Sequence, residues 1–210
     1  MPRVLIADDH AVVRQGLKQI VGEMPEPVVV GEAANGQEAL DKVRAEDWDV
    51  VILDIGMPDL SGFDVLHELA HDRPNLPVLV LSMHSEDYFA LRLLKAGASG
   101  YLTKESAPEE LVKAIRKVVE GGRYLSPTLA EKLAFGIVGG GEKQPHETLS
   151  DREFQVFYLI AGGKSVKEIA EELRLSAKTV STYRARILSK MGMKSNSELI
   201  RYAIQNRLME

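Results

Sequence analysis

Five short runs of aliphatic residues punctuate the first 125 positions: Val4 to Ala7, Val28 to Val30, Val50 to Leu53, Val78 to Leu81 and a shorter Gly100 to Leu102. Each is too short for a helix and too continuously apolar for a strand with one wet face, so each reads as a strand covered on both sides. Between them lie segments of helical periodicity: Val12 to Glu23, Gly36 to Ala45, Ser61 to His71, Glu86 to Ala96 and Pro108 to Glu120. Buried strands alternating with helices predict an α/β domain built on a doubly wound, five-stranded parallel sheet.

The rest of the chain has a different grammar. A short helix is expected over Pro127 to Phe135, introduced by Ser126, and then Gly139-Gly140-Gly141-Glu142-Lys143-Gln144-Pro145 reads as a mobile connection. Residues 148–210 predict four short helices and no strand, with capping-box spellings at Ser150/Glu153, Ser165/Glu168 and Ser195/Glu198 and a further cap at Ser176. Ser106/Glu109 spells the same box ahead of Pro108 in the first domain. The expected limits are therefore an α/β domain over 1–125, a linker over 126–147 and an all-α domain over 148–210.

Charge divides along the same line. The net charge of -5 hides 11 Lys+Arg against 8 Asp+Glu in residues 146–210, a net of +3, which leaves -8 for residues 1–145. Residues 173–197 contain no acid, as suits a surface that meets nucleic acid. There is no cysteine, which removes disulfides, thiolate metal ligands and thiol chemistry. Arg3 is followed at once by a short apolar run and then by acids, with no run of membrane-spanning length, so a cytoplasmic protein with no membrane partner is expected.

In a doubly wound sheet the functional crevice lies at the carboxyl ends of the strands. The residues that follow the apolar runs there are Asp8 and Asp9, Asp54, Ser82 and Lys104. Three converging carboxylates repel one another unless a cation sits among them. An oxygen-rich site of this kind suits Mg²⁺ or Mn²⁺, with Asp9 and Asp54 as direct ligands, Asp8 acting through water and the Gly56 carbonyl as a further oxygen. An aspartate can itself attack phosphorus, and the cation, the Lys104 ammonium and the Ser82 hydroxyl would then neutralise charge on the transferring group.

The segments Ala7-Asp8-Asp9-His10, Leu53-Asp54-Ile55-Gly56-Met57-Pro58-Asp59-Leu60-Ser61-Gly62, Leu81-Ser82-Met83-His84 and Gly97 to Lys104 resemble the receiver-domain motifs of two-component response regulators. The resemblance implies a flavodoxin-like strand order 2-1-3-4-5, phosphorylation of Asp54 by a sensor histidine kinase, and a Ser82/Tyr101 switch in which Tyr101 turns inward. It further implies that His84 tunes the lifetime of the phosphoryl group. Many receivers place a proline after a cis bond where Glu105 follows Lys104.

Ser165 to Leu173, the Arg174-Leu175 turn and Ser176 to Met191 form a helix-turn-helix pattern, with Val180, Ile187 and Met191 as the inward stripe. Leu149 to Glu153, Gly162 to Ala170 and Lys178 to Tyr183 resemble the NarL/FixJ (LuxR-type) effector domain. That resemblance implies that Lys178, Ser181, Thr182 and Ala185 face the major groove of double-stranded DNA, with Thr179, Tyr183, Arg186 and Lys190 nearer the phosphates. Arg184 stands where relatives often carry an aliphatic residue and joins the candidate DNA-binding set. Leu199, Ile200, Ala203 and Ile204 share one face of the last helix, which is either core or a homodimer surface. RNA polymerase is a further implied partner. Phosphatases of the haloacid dehalogenase type share the strand-end acids and an aspartyl phosphate, but they need an Asp two residues after the nucleophile; Gly56 occupies that position, so no turnover of external substrates is expected.

Overall fold

The structure, a computed structural model, describes residues 1–57, 60–82, 86–106, 108–127, 129–131, 144–206 and 208, without the side chains of 86–88. The expected triple-glycine hinge, Pro58, Asp59, Met83 and His84 lie outside these residues. Of the helix expected at 127–135, residues 127 and 129–131 are helical and the remainder lies outside. The chain divides into two compact units, Met1–Ile137 and Val138–Glu210.

The first unit runs β1 (Arg3–Ala7), α1 (Ala11–Gly22), β2 (Val29–Ala33), α2 (Gly36–Ala45), β3 (Val50–Asp54), α3 (Gly62–Asp72), β4 (Val78–Ser82), α4 (Glu86–Lys95), β5 (Gly100–Thr103) and α5 (Pro108–Val119). All strand pairs are parallel and the order is β2-β1-β3-β4-β5. One face of the sheet, with Val4, Ile6, Val50, Ile52, Leu79, Leu81 and Leu102, packs on Leu17 and Val21 of α1 and Leu111, Ile115 and Val118 of α5. The alternate residues Leu5, Val51, Leu53, Val80 and Tyr101 are also buried, because successive strand side chains point to opposite faces. Burying a side chain of this size stabilises by roughly 1.5–3 kcal/mol, so both faces contribute.

Three strand limits differ from expectation in informative ways. β2 extends through Gly31 and Glu32 to Ala33, since pairing with β1 continues to Ala7↔Ala33 although the aliphatic run has ended. Gly31 makes room there for Trp48: a Cβ would stand 2.2 Å from the ring, which would have to shift. β3 and β4 each include the polar residue that ends them, with Asp54 opposite Leu81 and Ser82 opposite Thr103.

The second unit holds a 3-10 turn, Pro145–Thr148, and helices α6 (Asp151–Ala161), α7 (Val166–Glu172), α8 (Ala177–Met191) and α9 (Asn196–Gln205). Ser150 and Ser165 form complete capping boxes with Glu153 and Glu168, and Ser176 accepts from the Thr179 amide. At Ser195 only half of the box forms: Ser195 accepts from the Glu198 amide, but the Glu198 carboxylate accepts from the Lys194 amide instead. The turn between α7 and α8 closes with Arg174 at φ 50, a left-handed conformation rare for a non-glycine residue, and Leu175 N–H donates to the Ala170 carbonyl at 2.8 Å. Val180, Ile187 and Met191 are buried as the stripe requires, against a core that includes Phe154, Phe157, Ile169 and Leu199.

Candidate functional site

The parallel register delivers the candidate residues of the first unit to one sheet edge. Asp8 follows β1, with its amide donating to the Ala33 carbonyl at 3.1 Å, while Asp54 ends β3 and Ser82 ends β4. The Lys104 amide donates to the Ser82 carbonyl at 2.8 Å, which aligns the residue after β5 with the end of β4. Asp8, Asp9, His10 and Asp54 each present a ligand atom within 4.8 Å of the others. Lys104 Nζ lies 2.7 Å from Asp8 Oδ2 and 2.9 Å from Asp54 Oδ2, so one ammonium bridges two buried carboxylates.

Local backbone fixes the acceptor. The Gly56 amide donates to Asp54 Oδ1 at 3.1 Å. The chain after Asp54 then folds back so closely that a Cβ on Gly62 would stand 2.3 Å from the Asp54 carbonyl oxygen, which explains the glycine there. Ser61 caps α3 in a complete capping box with Asp64. The Lys104–Glu105 bond is trans, as are all peptides among the described residues.

The electrostatics follow from burial. Loss of hydration pushes the Asp54 carboxyl above its ordinary value, and the charge of Asp8 adds to the rise, against attraction to Lys104 and hydrogen bonds from Lys104 and Gly56. For Lys104 burial acts downward, but the charge of Asp54 and the hydrogen bonds to Asp8 and Asp54 outweigh it, and the ammonium holds its proton more tightly than a free lysine. His10 stands at the mouth, 58% exposed, with Nδ1 2.9 Å from Asp9 Oδ1. Tyr101 is completely buried, and its hydroxyl is not at the surface.

The three clustered carboxylates carry more negative charge than the Lys104 ammonium balances, and with the His10 ring at the edge they make an oxygen-rich donor set in a chain without cysteine. Such a donor set fits a small divalent cation such as Mg²⁺ or Mn²⁺.

In the second unit Lys178, Ser181, Thr182, Ala185 and Ser189 are exposed along one side of α8, and Arg186 and Lys190 are exposed beside them. The side is lined by small groups between cations, so a partner surface can approach the helix closely. Thr179 and Tyr183 are half-buried. Several members of the candidate set have partners within the unit: Arg184 Nε donates to Asn196 Oδ1 of α9, Lys190 Nζ donates to Glu153 Oε2 of α6 at 2.6 Å, the Thr179 hydroxyl lies 2.8 Å from Ser176 Oγ, and the Thr182 hydroxyl donates to the Lys178 carbonyl at 3.0 Å. Glu153 is only 3% exposed, and the hydrogen bonds from Lys190 and Ser150 hold its carboxyl below the ordinary range despite the opposing effect of burial. Glu153 and Asn196 are functional neighbours that sequence reasoning did not select; Glu153 was visible only as a cap. On α9 the expected apolar face splits: Leu199 and Ala203 are core, while Ile204 is 64% exposed and, with Ile200, Ser197, Arg201 and Gln205, lines a shallow surface groove.

Comparison with known proteins agrees with this division. Residues 4–116 match the response regulator receiver domain, and residues 147–203 match the bacterial regulatory proteins of the luxR family. The chain is 39% identical over 210 residues to the response regulator GacA of Pseudomonas protegens, covering 100% of this chain and 99% of the relative. It is 37% identical over 209 residues to the response regulator UvrY of Escherichia coli K12, covering 99% and 96%. Among solved structures it resembles RcsB of Salmonella enterica serovar Typhimurium bound to promoter rprA in the presence of phosphomimetic BeF3-, with TM-score 0.64, 30% identity and coverage of 96% and 98%. It also resembles the response regulator ChrA of a heme-sensing two-component system, with TM-score 0.52, 33% identity and coverage of 99% and 98%. The chain thus belongs to the two-component response regulators that join a receiver domain to a LuxR-type helix-turn-helix domain, the architecture of a regulator and not of an ordinary enzyme.

Proposed function

We propose that Asp54 accepts a phosphoryl group from a sensor histidine kinase and that its modification controls binding of α8 to specific double-stranded DNA, and so transcription. The observation that carries the reading is the bridging of Asp8 and Asp54 by Lys104 within a buried acid cluster at the sheet edge. In the transfer an Asp54 oxygen forms a bond to phosphorus as the donor's P–N bond, or the P–O bond of a small acyl phosphate, breaks, and the leaving atom keeps the electron pair. Lys104 and the Ser82 hydroxyl balance charge on the transferring oxygens, and the Gly56 amide orients the nucleophile. Asp8, Asp9, Asp54 and the Gly56 carbonyl would hold Mg²⁺ or Mn²⁺, which when bound supplies neutralising charge for incoming phosphate oxygens. Self-phosphorylation from small donors and autodephosphorylation belong to the same reading.

On α8, Lys178, Ser181, Thr182 and Ala185 read the major groove, and Thr179, Tyr183, Arg186 and Lys190 lie nearer the phosphates. Arg184 joins this surface while hydrogen-bonded to Asn196. The exposed Ile204, with the half-buried Ile200 beside it, supports homodimerisation through α9 on DNA, and RNA polymerase is the downstream partner. Residues 1–125 act as the receiver, 126–147 as the connection with the triple glycine as hinge, and 148–210 as the effector, in the bacterial cytoplasm. No helix among the described residues is long and apolar enough to cross a membrane. The Ser82/Tyr101 pair acts as the switch, a reading supported by the complete burial of Tyr101.

The test is labelling with acetyl phosphate with and without Mg²⁺, followed by mapping of the hydroxylamine-sensitive group. Label on Asp54 that requires Mg²⁺ and tightens DNA binding is the expected result. Label elsewhere, or DNA affinity identical for labelled, unlabelled and Asp54→Asn protein, would overturn it. A filter-binding affinity that does not fall with salt would remove the DNA contact surface, because phosphate neutralisation releases counterions.

A further inference from the structure

The turn between β1 and α1 carries two of the three acids, yet its conventional supports are missing. α1 begins without a side-chain cap: His10, at the N-cap position, makes no capping hydrogen bond, and the first turn contains no acid. The β1–β2 ladder is spent at the Asp8 amide, which donates to Ala33, so the Asp8 carbonyl lies beyond the strand pairing. Arg14 supplies what is missing. From one turn into α1 its Nη1 donates back to the Asp8 carbonyl at 2.7 Å, and its Nε lies 3.5 Å from Glu32 Oε2 at the end of β2. Glu32 is held in turn by Lys18 at 2.8 Å. The Arg14 side chain is only 15% exposed, so it is built into this flank and does not wave in solvent. The second brace of the turn is internal, with the His10 amide donating to Asp8 Oδ1 at 2.7 Å.

We propose that Arg14 is a positioning residue for the phosphoryl site: by bridging the Asp8 carbonyl and Glu32 it holds the turn that aims Asp8 and Asp9 at a divalent cation. The inference rests on the cation reading given above. Arg14 touches no reacting atom and acts only through the backbone of Asp8.

The sign of one measurement separates this role from simple charge. Through space alone, removing a cation beside three carboxylates makes the cluster more attractive to Mn²⁺. Loss of positioning makes it less so, and removing an outer-shell support typically weakens metal binding about tenfold or more. The experiment is titration of full-length protein with MnCl2, followed by electron paramagnetic resonance, for wild type, Arg14→Ala and Arg14→Lys, with thermal melts as the control on folding. Arg14→Ala is expected to bind Mn²⁺ about tenfold more weakly. Arg14→Lys, which keeps the charge and loses the two-way fork, is expected to fall between Arg14→Ala and wild type. Acetyl phosphate labelling of Arg14→Ala should reach the wild-type plateau once Mg²⁺ is saturating, with only its Mg²⁺ midpoint displaced. Unchanged or tighter Mn²⁺ binding by a folded Arg14→Ala overturns the proposal. Should Arg14→Ala not fold, Arg14→Lys carries the test at constant charge, and wild-type affinity in that variant overturns the proposal. Wild-type protein that takes up no Mn²⁺ removes the cation reading and this inference together.

Discussion

Each unit of the molecule contains a lysine paired with buried acid, and the two pairs are built on opposite principles. Lys104 is 9% exposed and bridges Asp8 and Asp54, with Asp9 and His10 in the same cluster, so one ammonium is shared between two carboxylates and a third lies beside them. Lys190 is 43% exposed and meets, among the described residues, the one acid Glu153, whose carboxylate also accepts from the Ser150 amide and whose own amide donates to Ser150 Oγ. The directions of the carboxyl shifts report the difference. Asp54 is pushed up and its charged form is disfavoured; Glu153 is held down and its charged form is favoured. The second pair fastens α8 to α6. The first holds more carboxylate charge than its lysine balances in a protected crevice, a condition that a proton on Asp54 or a further cation relieves.

The contrast can be broken most sharply at the lysines. Replacing Lys104 by methionine is expected to slow phosphorylation by acetyl phosphate about 100-fold, the order of loss seen when one charge-stabilising donor is removed from a reacting site. Stopped-flow or gel-shift rates check this, and a rate within a few-fold of wild type would deny Lys104 its role. The next effect is that of metal. Mg²⁺ at a hundredfold excess over its dissociation constant should stabilise the first unit by about 2.7 kcal/mol and leave the second unchanged, as calorimetric melts in Mg²⁺ and in EDTA would resolve.

Neutralising the acids should then move stability in opposite directions. The carboxyl of Asp54 is raised, so its protonated form favours the folded state; that contribution is present below its unfolded value and is lost as pH rises through the folded one. In EDTA at neutral pH, Asp54→Asn is therefore expected to melt higher than wild type, by about 4 °C for a contribution near 1 kcal/mol. The carboxyl of Glu153 is lowered, so its stabilisation is present above the unfolded value and is lost as pH falls through the folded one. Glu153→Gln should cost the second unit about 1 kcal/mol or less at neutral pH, because the partner lysine is solvent-screened, and should flatten the acid limb of its pH-stability profile. Chemical denaturation from pH 7 down to pH 3 reads both signs, and a Glu153→Gln protein that loses stability on acidification as wild type does would contradict the assignment.

Periodicity and local chemistry determined most of the architecture from sequence alone. Five aliphatic runs alternating with helical segments specify a parallel sheet covered on both faces, and the sheet's carboxyl edge specifies where Asp8, Asp54, Ser82 and Lys104 converge. The caps at Ser150, Ser165 and Ser176 were legible because a cap spans only three residues and its geometry does not depend on the rest of the fold. Tertiary structure decided the remainder. Pairing in register carries β2 past its aliphatic run to Ala33, and the half-formed box at Ser195 shows a carboxylate choosing between two equally local amides. Lys104 finds Asp8 across 96 residues and Lys190 finds Glu153 across 37, distances over which side-chain partnership depends on strand register and helix packing. Arg14 is six residues from Asp8, within reach of local reasoning, yet its role depends on Glu32 at the end of β2 and on a carbonyl that the sheet leaves over. Sequence names the groups able to do chemistry; packing alone decides which of their charges are satisfied and which are left for a ligand.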